Sequence, residues 1–203
     1  GCSNPERRAY ERDRVRHPMT TPSTASTAVM LLVGTRKGLF RLHALSTGTA
    51  WRIDGPHIAG YEILHTCADA DDPDTFYAAA SHAIWGAHIY RSSDRGVTWS
   101  PLAAAPHHTR SDFDTPLKRI WYLTHCRDTR LYAGIDPPGL FQSTDHGGTW
   151  EPLSGLNEHP SRATWEPARG GFSVHSVYLA DDQPGRIYAA VSAGGAYRSD
   201  DFG

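Results

Sequence analysis

Glu158, His159, Arg162, Trp165, Glu166 and Arg169 crowd one short stretch of the chain. Carboxylates can exchange protons with an oxygen, guanidinium groups can hold an anion, and an indole can stack on the face of a sugar ring. Arg36, Lys37 and Arg119 add cations elsewhere. His65, Tyr122 and His175 end three similar triplets, Ile63-Leu64-His65, Ile120-Trp121-Tyr122 and Ser173-Val174-His175. If these triplets are equivalent inner strands of a repeat, the three polar side chains form a ring that could bind a metal or work as acid and base. Two histidines without a clear carboxylate are few ligands. The expectation is therefore a water-filled channel, with no metal and no cofactor assigned. His107 and His108 adjoin in a loop, where a loop role is expected.

Whether these groups meet depends on the elements that carry them. The pattern Ser-x-Asp-x-Gly-x-Thr-Trp occurs at Ser92, Asp94, Gly96, Thr98 and Trp99, and again at Ser143, Asp145, Gly147, Thr149 and Trp150. Ser199, Asp201 and Gly203 begin a third copy. The box aspartates are 51 and 56 residues apart, and Tyr77, Tyr132 and Tyr188, each ahead of a box, are 55 and 56 apart. That period suits a four-stranded propeller blade and is too long for helical-pair solenoids. An earlier, diverged copy runs from Leu32 to Phe40, without a box but with Trp51 on the following strand. The fold class is therefore all-β: a partial β-propeller of about three and a half four-stranded antiparallel blades, box turns joining the outer strands. The blades fall at about 29–54, 62–102, 118–153 and 172–203, little helix is expected, and the polar stretch 1–27 reads as disordered.

Each box residue has a folding role. The aspartate accepts turn N–H groups, the glycine supplies a positive φ, the hydroxyls close local bonds and the tryptophan packs between sheets. Trp99 and Trp150 are expected to be substantially buried. A calcium site would need further carboxylates at ligand spacing, which neither box has.

With strands A to D running from the axis outward, A–B and C–D turns share one rim and B–C and D–A connections the other. The boxes lie on the first rim. The second carries Arg36 and Lys37, residues 81–88, residues 136–139 and the Glu158–Arg169 stretch, and is where a sugar or other polar small molecule is expected to bind.

The formal charge of −2 and pI near 6.7 offer no basic field for nucleic acid. No apolar run reaches the roughly 18 residues of a membrane span. Cys2, Cys67 and Cys126 show no CxxC spacing, which points weakly to a reduced, cytoplasmic compartment. Gly1-Cys2-Ser3-Asn4 leaves a lipoprotein or secreted form open. With glycine first, about 14 strands and the third box cut short, the chain reads as a piece of a longer protein, its isolated edges unpaired.

Through its boxes and through Gly34-Thr35-Arg36-Lys37-Gly38-Leu39-Phe40, Lys118-Arg119-Ile120-Trp121 and Gly155-Leu156-Asn157-Glu158-His159-Pro160, the chain resembles the BNR/Asp-box β-propellers. That group includes sialidases, sortilin-type receptors and photosystem II assembly factors. The resemblance covers about residues 29–203 and is greatest to bacterial repeat proteins described as sialidase-like or glycosyl hydrolase. It implies either a glycoside hydrolase, with Glu158 or Glu166 as acid/base and Arg36, Arg119 or Arg169 on substrate anions, or a non-catalytic propeller that binds a protein or glycan. Sialidases carry an early Arg-Ile-Pro. Here Arg52-Ile53 is followed by Asp54 and Arg119-Ile120 by Trp121, so no catalytic residue carries over by motif.

Overall fold

In a computed structural model, residues 29–44, 50–108, 116–125 and 129–203 are described. The expected disorder of 1–27, and Cys2 and Cys126, lie outside them. Strand-forming residues alternate with Gly-containing turns, and the described chain folds into four antiparallel meander sheets of a partial β-propeller. The first holds β1 (Met30–Thr35), β2 (Gly38–Ala44) and β3 (Trp51–His57). The second holds β4 (Glu62–Ala68), β5 (Phe76–His82), β6 (Gly86–Ser92) and β7 (Ser100–Pro101). The third holds β8 (Arg119–His125), β9 (Leu131–Asp136), β10 (Gly139–Ser143) and β11 (Glu151–Pro152). The fourth holds β12 (Val174–Leu179), β13 (Ile187–Val191) and β14 (Gly195–Ser199). Between β11 and β12 lie a four-residue helix, α1 (Ser154–Asn157), and a 3-10 turn, Pro160–Thr164. Among the described residues no helix is long and apolar enough to cross a membrane.

β4, β8 and β12 pack side by side as first strands, while β1 takes the place of a second strand. A Cβ on Gly34 of β1 would stand 2.6 Å from the Ile63 carbonyl of β4, just as one on Gly134 of β9 would stand 2.4 Å from the Val174 carbonyl of β12. These glycines let one blade's second strand press against the next blade's backbone. Each first strand also carries a one-residue bulge, at Leu64, Trp121 and His175.

The core lies between neighbouring sheets. Leu39, Ile63 and Ala80 fill the first seam, Tyr77, Ile89, Leu131 and Phe141 the second, and Tyr132, Leu140, Val174 and Val191 the third. Trp99 and Trp150 are half-buried at the edges of the first two. In each complete box the Ser hydroxyl accepts the Gly N–H at 2.8 Å and the aspartate accepts the Thr N–H and hydroxyl. These bonds hold Asp94 and Asp145 down to a pKa of about 2.

The residue before each box glycine, Arg95, His146 or Phe202, has φ between 58° and 72° and meets the preceding blade. The Arg95 carbonyl accepts from Arg41 Nη1 at 2.9 Å, His146 Nδ1 lies 3.4 Å from the Tyr77 hydroxyl, and Arg130 sits 3.8 Å over the Phe202 ring.

Candidate functional site

On the rim away from the boxes, the β9–β10 turn carries Asp136 between the buried Ile135 and Pro137. Asp136 pairs with Arg119 across β8 and β9, and its carbonyl accepts the Lys118 N–H at 2.8 Å. Its residue is 7% exposed. Burial raises its carboxyl above the usual range, outweighing the Lys118 and Arg119 cations and the Trp121 side chain, which pull it down. Gly171 lies beside this carboxyl: a Cβ there would stand 3.6 Å from Asp136 Oδ2 and 3.9 Å from Trp121 Cζ2. Arg119 lies 5.6 Å over the Trp121 ring, and Arg162 Nη2 donates to the Pro138 carbonyl at 2.6 Å. The His108 ring approaches the Pro137 carbonyl at 3.4 Å. A carboxyl whose pKa is raised by burial, beside two cations and an indole, can in its protonated form give a proton to an oxygen leaving group.

The sequence candidates are distributed unevenly around this turn. Arg119 and Arg162 adjoin it. Arg36 is exposed and pairs with Glu62 at 3.5 Å, and Lys37 is exposed on the same β1–β2 turn. Glu158, Glu166 and Arg169 are exposed; Glu158 caps the end of α1. His159 is taken up locally, its Nδ1 2.8 Å from the Ser161 hydroxyl.

Two expectations are corrected. Trp165 is a core residue, 7% exposed, with its indole N–H given to the Tyr197 hydroxyl at 2.7 Å, so it is no sugar platform. His65 and Tyr122 do stack, with centroids 4.0 Å apart, and His65 Nδ1 accepts the Leu123 N–H at 3.4 Å. His175 is not their equivalent: it is the bulge residue, aligned with Leu64 and Trp121, and Ser176 takes the third place. Ser176 is thus the residue in register with His65 and Tyr122.

A second cluster, unseen from sequence spacing, lies on the box rim. Donor atoms of Asp69, His125 and His146 lie within 4.8 Å of one another. Asp69 Oδ1 accepts the Asp71 and Asp72 N–H groups, and Oδ2 is 3.1 Å from His125 Nε2 and 3.6 Å from His146 Nδ1. His125 Nδ1 accepts the Ala70 N–H at 3.0 Å, so in the neutral ring the proton stays on Nε2, towards Asp69. That tautomer is wrong for a metal ligand at Nε2, and the cluster reads as a contact between blades 2 and 3 in which Asp69 and His125 are buried and His146 reaches the surface. A cavity of about 580 Å³, lined by Leu140, Leu153, Ile187 and Tyr197, opens on the third seam. Gly203 meets Leu153 there as Gly147 meets Leu102.

No protein-family model and no curated protein matches the sequence. Among solved structures the chain is similar to the GH74 xyloglucanase from Xanthomonas campestris, with TM-score 0.51 and 20% identity over 83% of this chain and 28% of that one. It is also similar to YCF48 from Cyanidioschyzon merolae, with TM-score 0.45, 18% identity and coverage of 70% and 34%. YCF48 bound to a D1 peptide gives TM-score 0.45 and 11% identity, covering 81% and 50%. The chain spans less than a third of the xyloglucanase, and at this identity the likeness is one of fold.

Proposed function

We propose that this chain contributes the rim of a β-propeller glycoside hydrolase, with Asp136 as the general acid. The observation that carries this reading is the Asp136 carboxyl, buried and raised in pKa on the rim where the connecting loops converge. In its protonated form, which burial favours, it donates to the glycosidic oxygen as the bond to the anomeric carbon breaks. Arg119 and Lys118 beside it can then stabilise the carboxylate left behind. A second carboxylate must serve as nucleophile or base across the sugar. Glu166, exposed on the D–A connection, is the candidate from this chain. A glycoside hydrolase on a similar fold, the xyloglucanase, is compatible with the reading.

Asp136→Asn should retain glycan binding while hydrolysis falls by at least about 100-fold. Full turnover in Asp136→Asn would overturn the assignment. Unchanged binding with no hydrolysis by either protein would favour the second reading, a non-catalytic glycan-binding propeller.

A further inference from the structure

The β5–β6 hairpin is longer than its counterparts, and its tip exposes Ile84 and Trp85, 79% and 67% accessible. A large indole left in water on a rigid tip calls for an occupant. The tip is braced from within. His82 Nδ1 accepts the N–H groups of Ile84 and Trp85 at 3.0 and 3.2 Å, and His88 Nε2 lies 2.7 Å from the Trp85 carbonyl. Tyr61 packs beneath, 5.1 Å from the His82 ring and 6.0 Å from that of His88.

In a neutral ring these bonds fix the tautomer. His82 keeps its proton on Nε2, and His88 donates from Nε2 and leaves Nδ1 as an acceptor. The exposed indole of Trp85 thus stands on a backbone tied to two imidazoles. The hairpin base is tied to the Asp136 turn: the Ser81 hydroxyl donates to the Lys118 carbonyl at 3.5 Å, and the Lys118 N–H donates to the Asp136 carbonyl at 2.8 Å.

We infer that Trp85 is the stacking platform for a sugar ring next to the one held at Asp136, so that the ligand is an oligosaccharide rather than a single sugar. This rests on the glycan reading of the Asp136 rim. A flat ring with equatorial hydroxyls matches an exposed indole with the His82 imidazole 6.4 Å from it. A protein partner needs about 800 Å² of contact on each side, far more than two side chains on a hairpin tip provide. Because the tip is already ordered, stacking costs little conformational entropy.

The test measures binding of cellotetraose, xylotetraose, mannotetraose and maltotetraose, and of their monosaccharides, to the full chain, to Trp85→Ala and to Asp136→Asn. Calorimetry is paired with iodide quenching of tryptophan fluorescence. At least one tetrasaccharide should bind and shield Trp85 from iodide, with affinity falling about tenfold in Trp85→Ala. Its monosaccharide should bind more weakly and show no dependence on Trp85. Equal affinity of wild type and Trp85→Ala overturns the inference, as does the absence of any tetrasaccharide binding. Binding to phosphatidylcholine vesicles that is lost in Ile84→Ser, without glycan binding, would assign the tip to a lipid surface and also overturn it. If Trp85→Ala loses the tetrasaccharide while Asp136→Asn turns over normally, the platform stands and the catalytic reading fails.

Discussion

His125 Nε2 lies 3.1 Å from Asp69 Oδ2, and the two side chains, 0% and 1% exposed, join the ends of β8 and β4. Burial nonetheless holds the His125 pKa below 6.5, against the pull of the Asp69 charge. The neutral, singly protonated ring is the form that fits its neighbours.

His65 and His108 are also lowered from 6.5, mainly by burial. Such groups bind protons more readily in the unfolded chain, so their stabilising contribution is complete above about pH 6.5 and is lost as pH falls below it. Asp94 and Asp145, held to about 2, remain ionised throughout this range. His43 is lowered as well, so Asp136, raised and working the other way, is one group against four histidines. The melting temperature should be lower at pH 5.5 than at pH 7.5. An equal or higher value at pH 5.5 would contradict the neutral assignments.

Ser143→Ala should destabilise the fold by about 1–3 kcal/mol, because the buried Gly147 N–H loses its acceptor at 2.8 Å. Denaturant titration checks this. Glycan binding should be unchanged, since the box lies on the other rim.

Gly134→Ala places a methyl group against the Val174 carbonyl and should cost about 1–3 kcal/mol through overpacking of the third seam. At Gly60, where a Cβ would meet nothing within 4 Å but φ is +89°, alanine should be strained by its backbone alone. Paired denaturant titrations separate the two effects, because only Gly134→Ala should displace neighbouring side chains.

Trp165→Ala should cost about 3–5 kcal/mol as a core truncation. Ligand affinity measured well below the melting transition should hold. A variant as stable as wild type that had lost affinity would return Trp165 to the ligand.

The blades were legible because a box is closed by its own Ser, Asp and Thr within a few residues, so its chemistry recurs with its letters. His175 was misplaced because a bulge inserts one residue without any sign in the triplet itself. Trp165 sits in a polar stretch, and only folding brings Tyr197 and Ser161 to its indole N–H. Asp136 did leave a signal, an acid between Ile135 and a Pro-Pro pair, but its burial depends on Trp121 and the neighbouring sheet. Asp69, His125 and His146 come from three elements in two sheets, and no spacing announces them.

The left-handed residue ahead of each box glycine gives these near-identical turns separate identities. At one seam a guanidinium grips a carbonyl, at the next an imidazole faces a tyrosine and a carboxylate, and at the third a cation covers a benzene ring. Repeats with interchangeable edges can exchange neighbours during folding. Here each junction is keyed, and a blade set beside the wrong partner would leave an unmatched charge or an unfilled ring.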